Sequence, residues 1–192
     1  MIVVFTGNGK GKTTASLGQA MRAIGRGKRV LMIQFIKGPW RSGEDEFIDK
    51  IHNQKEKLKD KLPEAISGLD NFYDFDIKKM GRGFVGILGD KLPKEEHERA
   101  ALEALSYFET KLTSGKWDMI ILDEINVAVS LGLVSIRKVM EALNKVPVEK
   151  FVILTGRNAS PEFIEAADLV TEMKEIKHPF NDGEKARVAM EF

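Results

Sequence analysis

Nine residues near the start of the chain, Thr6-Gly7-Asn8-Gly9-Lys10-Gly11-Lys12-Thr13-Thr14, have the composition of a loop that grips an anion. Three glycines let backbone N–H groups converge without Cβ crowding, and a helix start beyond them adds partial positive charge. Lys12 supplies a full charge, and the Thr13 hydroxyl is placed to ligate magnesium. The pattern matches G-x-x-x-x-G-K-[ST] with one departure: Thr6 stands where the first glycine belongs. A β-branched residue there is expected to resist the positive φ that glycine accepts.

A second constellation, Asp123-Glu124, closes the apolar run that starts at Trp117. In a phosphate-loop protein such a strand delivers acid groups to the sheet edge where the metal sits. On its own the pattern is weak, because many strands end at a charged turn; beside the glycine loop it gains weight. No base stands next to the loop. His52, His97 and His178 lie in three separate segments; the first two fall in charged helical stretches, which reads as surface, and His178 falls in the loop at 177–185.

These groups need a scaffold to position them. Residues 1–5 read as a strand, and Leu17, Met21 and Ile24 give the stripe of a helix from about Lys12 to Ile24, ended by Gly25 and Gly27. Residues 29–36 form a nearly continuous apolar run, as in a strand covered on both faces. Trp40 sits in the turn that follows, at the edge where open α/β sheets bind ligands, as a site residue or a loop hydrophobe. Residues 44–62 are a charged helix with Phe47, Ile51 and Leu58 as its sparse apolar face. Residues 72–77 read as a third strand with carboxylates outward, followed by an apolar glycine-rich loop at 80–89 that packs on neighbours or lines an apolar pocket. Ala101, Leu105, Phe108 and Leu112 mark a core-facing helix from Lys94. Beyond Asp123-Glu124, a helix at 135–143, a strand at 150–155, a short helix capped by Ser160 and a strand at 168–173 extend the sheet. The last residues are expected to form an edge strand. No linker or repeat divides the chain, so residues 1–192 read as one α/β domain with a mostly parallel sheet between helices.

Composition agrees. With 192 residues, 43% hydrophobic, one well-buried domain is accessible. A net charge of +1 with 31% charged residues disfavours nucleic acid or an anionic membrane as partner. The absence of cysteine excludes disulfides, thiolate metal sites and a thiol nucleophile, and suits a reducing cytoplasm. No secretory signal and no bilayer-length apolar stretch is visible.

Taken in order, residues 6–14, Ile33-Gln34-Phe35-Ile36-Lys37-Gly38, Leu122-Asp123-Glu124-Ile125-Asn126, Leu154-Thr155-Gly156-Arg157-Asn158, Ala167-Asp168-Leu169-Val170-Thr171-Glu172-Met173 and Lys177-His178-Pro179-Phe180 resemble the ATP:corrinoid adenosyltransferase family of cobalamin biosynthesis. The resemblance covers almost the whole chain. It implies a three-layer P-loop, RecA-like fold and transfer of the 5′-deoxyadenosyl group of ATP to cobalt(I) of a reduced corrinoid, with release of triphosphate. It further implies Mg2+ or Mn2+ with ATP, a flavodoxin-like reductant and a homodimer. By motif match Asn8, Gly9, Lys10, Gly11, Lys12, Thr13 and Thr14 bind phosphates, Thr13 and Glu124 ligate the metal, and Arg22 and Arg157 are further nucleotide contacts. For Arg22 a solvent-facing role competes, and Asp123 is free to position Thr13 or water. Cobalt(I) is itself the nucleophile, so the protein's task is to align carbon 5′ and neutralise the leaving triphosphate.

The family's loop Gly-x-Gly-Phe-x-Trp appears as Gly81-Arg82-Gly83-Phe84-Val85-Gly86, which keeps the phenylalanine and replaces the tryptophan by Gly86. The resemblance makes Phe84, with Lys12, a catalytic residue: a wedge beneath the corrin that displaces the axial base. Packing into the core is its alternative. The stretch from 44 to 75 is longer than usual, and the family's covering N-terminal helix is expected to be missing. A RecA-like ATPase or small-molecule kinase, and a nucleotide-gated binding module, remain the competing readings.

Overall fold

The computed structural model describes residues 1–59, 74–87, 89–179, 183 and 187. The elements run β1 (Ile2–Thr6), α1 (Lys12–Ile24), β2 (Val30–Gln34), α2 (Gly43–Lys59), β3 (Phe75–Lys79), α3 (Lys94–Thr113), β4 (Met119–Asp123), α4 (Ile125–Ser130), α5 (Ile136–Leu143), β5 (Phe151–Thr155), α6 (Pro161–Ala166) and β6 (Leu169–Glu172). The strands form one sheet in the order β3-β2-β4-β5-β1-β6, and every pairing is parallel. All six described strands therefore end on one edge, and the loops that carry the candidate residues leave from it.

Alternation along the strands builds a core on each face. Val4, Leu31, Ile33, Ile120, Leu122, Val152 and Leu154 point to one side, where α3 supplies Ala101, Leu105, Phe108 and Leu112. Phe5, Val30, Met32, Met119, Ile121 and Ile153 point to the other, against Ala20 and Ile24 of α1 and Ile48 of α2. Two covered faces explain why the central strands read as unbroken apolar runs, and the result is a three-layer α/β arrangement with helices on both faces of a parallel sheet. No helix among the described residues is long and apolar enough to cross a membrane.

Most expected elements are present, with differences that have physical causes. The third strand lies later than expected, at Phe75–Lys79, in register with all of β2; Phe72 and Tyr73, like the expected terminal edge strand, lie outside the described residues. Helix α4 follows Glu124 at once and was not anticipated, since Ile125-Asn126-Val127-Ala128-Val129 carries no cap signal and no amphipathic period. Among the α2 residues whose side chains are described, Ile48 is buried, Ile51 is partly buried and Phe47 is exposed, while the side chain of Leu58 lies outside them. Thr6, by contrast, behaves as expected of a β-branched residue: it is the last residue of β1, and the positive φ falls on Gly7, at 94°. His97 is not a surface residue but is almost fully buried on α3.

The α2 register is directly testable. Ile48→Ala should cost about 2–4 kcal/mol in urea unfolding, as expected for a buried isoleucine, while Phe47→Ala should stay within about 0.5 kcal/mol. The reverse order would place the other face of α2 on the sheet.

Candidate functional site

The site is built around Asp123, the last residue of β4, whose side chain is fully buried. Its Oδ1 accepts from the Thr13 hydroxyl at 2.9 Å and the Thr155 hydroxyl at 2.8 Å, and its Oδ2 accepts from Gln34 Nε2 at 3.0 Å. Register explains the convergence: Gln34 lies opposite Asp123, and β2, β4 and β5 each close on a polar residue, Gln34, Asp123 and Thr155. Thus Asp123 positions Thr13, one of the two roles open to it from sequence.

The glycine loop is shaped from beneath. Gly7 and Gly11 have positive φ, and Gly11 stands at the N-terminus of α1. A Cβ on Gly7 would lie 2.4 Å from the Met173 carbonyl oxygen. The Gly9 amide donates to the same carbonyl at 2.7 Å, so Gly9 seats the loop against the chain after β6. Lys12 is buried, and its ammonium donates to the carbonyls of Gly7 at 2.8 Å and Gly9 at 2.7 Å. Burial lowers its pKa, opposed by Glu124 and reinforced by the charge of Arg157. Asn8, Lys10 and Thr14 are exposed on the loop and the first turn of α1.

Glu124 leaves the sheet in the left-handed conformation, φ 62°, with its amide donating to Thr155 Oγ1 at 3.0 Å. Gly156 makes room for it, because a Cβ there would approach Glu124 Oε2 to 3.0 Å. Burial and then the charge of Asp123 raise the Glu124 pKa from 4.5 to about 7, against the pull of Lys12, Lys37 and Arg157. Lys12, Thr13, Asp123, Glu124 and the exposed Arg157 therefore share one electrostatic neighbourhood. Arg22 is elsewhere: it is exposed near the end of α1 and lines a cleft of about 680 Å³ with Phe5, Gln19, Met21, Thr171 and Met173. His178 is partly exposed after β6.

Sequence reasoning passed over Lys37, Gln34 and Thr155. Lys37 extends from the end of β2, pairs with Glu44 and is felt at Glu124. The signal for Gln34 and Thr155 was a polar residue closing an otherwise apolar strand. Gln34 Oε1 and Asn126 Oδ1 are buried acceptors without a hydrogen-bond partner in the structure.

The loop at 80–87 borders this edge. Met80 and Gly81 donate to Gln34 O at 3.0 and 3.1 Å, and Gly83 donates to Ile36 O at 2.9 Å. Downstream, Asp90 accepts from the Gly86 amide at 2.9 Å and the Leu92 amide at 3.0 Å and lies 3.0 Å from His97 Nε2, tying the loop to α3. Phe84 is half-exposed, so core packing is not its role; it stacks on Trp40.

Residues 1–192 match the family ATP:corrinoid adenosyltransferase BtuR/CobO/CobP. The chain belongs to this family. It is 34% identical to the corrinoid adenosyltransferase of Escherichia coli over 192 residues, covering 100% of this chain and 85% of that protein. With the corrinoid adenosyltransferase of Salmonella typhimurium the identity is 32% at the same coverages, and with that of Pseudomonas aeruginosa 33%, covering 83% of the relative. Among solved structures it is similar to the flagellar accessory protein FlaH of Methanocaldococcus jannaschii, with TM-score 0.49 and 13% identity over 89% of this chain and 69% of that one. A KaiC-like protein of Pyrococcus horikoshii gives TM-score 0.42 and 16% identity, over 92% and 74%.

Glu124 generates a prediction with a defined sign. Between pH 4.5 and about 7 the folded chain holds a proton that the unfolded chain has released. The associated stability is present below pH 4.5 and is lost as pH rises through 7. Without nucleotide or metal, Glu124→Gln should be more stable than the parent at pH 8 by on the order of 2 kcal/mol, and the difference should shrink toward pH 5. A pH-independent difference in urea unfolding would mean that the neighbouring cations already neutralise the carboxylate.

Proposed function

We propose that this protein transfers the 5′-deoxyadenosyl group of ATP to the cobalt(I) of a reduced corrinoid and releases triphosphate. The observation that carries the reading is family membership along the full chain, on a fold whose phosphate loop, lysine and acid pair meet at one sheet edge. In the step, cobalt(I) donates its electron pair to carbon 5′, the bond from carbon 5′ to the phosphate oxygen breaks, and that electron pair leaves with the triphosphate. No side chain has to be activated as nucleophile. The protein's contribution is to hold and neutralise the leaving group, which falls to Lys12 and the amides and side chains of residues 8–14, with Arg157 beside them.

The donor set suits a hard cation. The Thr13 hydroxyl proton is committed to Asp123, which leaves its lone pairs available, and Glu124 stands beside it. Among the described residues no group of three or more His, Cys, Asp or Glu could hold a metal by itself, which fits Mg2+ or Mn2+ completed by phosphate oxygens and water. When bound, such an ion would add positive charge at the leaving triphosphate. Thr13 and Glu124 are its proposed ligands. A cytoplasmic location, a flavodoxin-like reductant to deliver cobalt(I) and a homodimer complete the proposal. The raised pKa of Glu124 favours one competing reading, an ATPase in which this carboxylate orients water.

Product analysis separates them. Triphosphate should appear only when ATP, magnesium and reduced corrinoid are all present; ADP and phosphate released at a comparable rate without corrinoid would establish the ATPase instead. For Phe84, the wedge role predicts that Phe84→Ala slows adenosylation of cobalamin more than about tenfold beyond that of cobinamide, which lacks the axial base. Equal losses on both corrinoids would remove the wedge role.

A further inference from the structure

Beyond the phosphate loop, the sheet edge carries two half-exposed aromatic rings that meet: Trp40, 48% exposed, and Phe84, 47% exposed, with centroids 5.9 Å apart and planes 27° from parallel. Large exposed aromatics stacked on each other leave much apolar area in water, which is costly unless something covers it. The indole is held in place by contacts that fix its attitude. It is pressed over two glycines, since a Cβ on Gly38 would lie 2.4 Å from the ring and one on Gly83 would lie 2.8 Å from it. Lys79, at the end of β3, donates to the Trp40 carbonyl at 2.6 Å and pairs with Asp45 in the first turn of α2, bracing the turn that carries the ring. Two residues beyond Phe84, a Cβ on Gly86 would meet nothing within 4 Å among the described residues.

We propose that Trp40 and Phe84 form one preorganised platform for the face of the corrin ring, with Trp40 as a corrinoid-binding residue and Lys79 as the residue that positions it. The proposal rests on the adenosyltransferase reading, which supplies a ligand of the right chemistry: a broad, nearly flat, largely apolar macrocycle. The loop that carries Phe84 is hydrogen-bonded to Gln34 and Ile36 at the end of β2, Trp40 follows β2 in the chain, and β2 pairs with β4, so the platform borders the nucleotide edge without belonging to the phosphate loop.

The test uses the full chain, saturating magnesium and ATP, and reduced cobalamin and cobinamide as probes. Trp40→Ala should raise the KM for both corrinoids about tenfold or more, while the KM for ATP and the melting temperature stay near the parent values. Trp40→Phe, which keeps a flat ring, should recover most of the loss, and Trp40→Leu, which keeps apolar bulk alone, should not. Lys79→Met should raise corrinoid KM in the same direction and by less, with kcat at saturation retained, and Lys79→Arg should restore it. An unchanged corrinoid KM in Trp40→Ala, a parallel rise in the KM for ATP, or a Trp40→Leu variant equal to Trp40→Phe would overturn the platform. Should Trp40→Ala fail to fold, the Phe and Leu variants decide. The parent enzyme reports separately on the reading beneath: if it forms no triphosphate with either corrinoid, the adenosyltransferase function falls and the platform with it, whereas a turning-over parent with indifferent Trp40 variants sinks the platform alone.

Discussion

A buried carboxylate is tolerable only when donors surround it, and Asp123 has three from three different elements: Thr13 of α1, Gln34 of β2 and Thr155 of β5. Hydrogen bonds to a charged acceptor contribute more than neutral ones, roughly 1.5–3 kcal/mol each. The arrangement therefore fixes relative positions as well as stabilising the fold. It locks the first turn of the phosphate-loop helix to the centre of the sheet, and β4 cannot slip by one residue against β2 without turning this carboxylate toward the other face. The hydroxyl of Thr13 is oriented as a consequence of how the sheet is held together.

The next residue shows the opposite economy. Glu124 adopts a left-handed backbone, which strains a residue with a Cβ by on the order of 1–3 kcal/mol, and its carboxyl is partly desolvated beside the charge of Asp123. Strain and desolvation fall on the same side chain. Lys12 is in a similar state, buried and bonded to carbonyls of its own loop, where a polyphosphate would meet an ammonium already stripped of most of its water. A carboxylate and an ammonium held in this way respond strongly to a multivalent anion and its counter-ion. On the adenosyltransferase reading, folding stability is traded there for binding.

Legibility in the sequence followed how much each signal was local. Helix α1, helix α3 and the central strands were readable because long amphipathic or doubly buried segments impose their own period. The face of α2 was misjudged between Phe47 and Ile48 because a sparse apolar pattern fits two neighbouring stripes equally well. Helix α4 was hidden by Glu124, whose left-handed turn redirects the chain without glycine or proline to announce it. His97 looked exposed among charged neighbours, yet its partner Asp90 sits in a loop whose course no periodicity describes. At the candidate site, Lys12, Thr13 and Glu124 could be named as candidates from a motif, whereas Gln34 and Thr155 reach Asp123 through strand register, which appears only when the sheet is assembled.

On the proposed reading, that assembly also bears on how two substrates would share one edge. Two strands, β5 and β4, separate β1, which launches the phosphate loop, from β2, which leads to Trp40. At roughly 4.8 Å per strand the two loops start about 14 Å apart, a distance for an extended nucleotide to bridge rather than for direct contact. On the adenosyltransferase reading, a triphosphate held by the loop around Lys12 would have to direct carbon 5′ along the edge toward the aromatic pair. The strand order would thus set which end of the nucleotide meets the macrocycle. Backbone anchoring of residues 80, 81 and 83 on β2 makes the second loop part of the same rigid frame, so the spacing between leaving group and platform is inherited from the sheet.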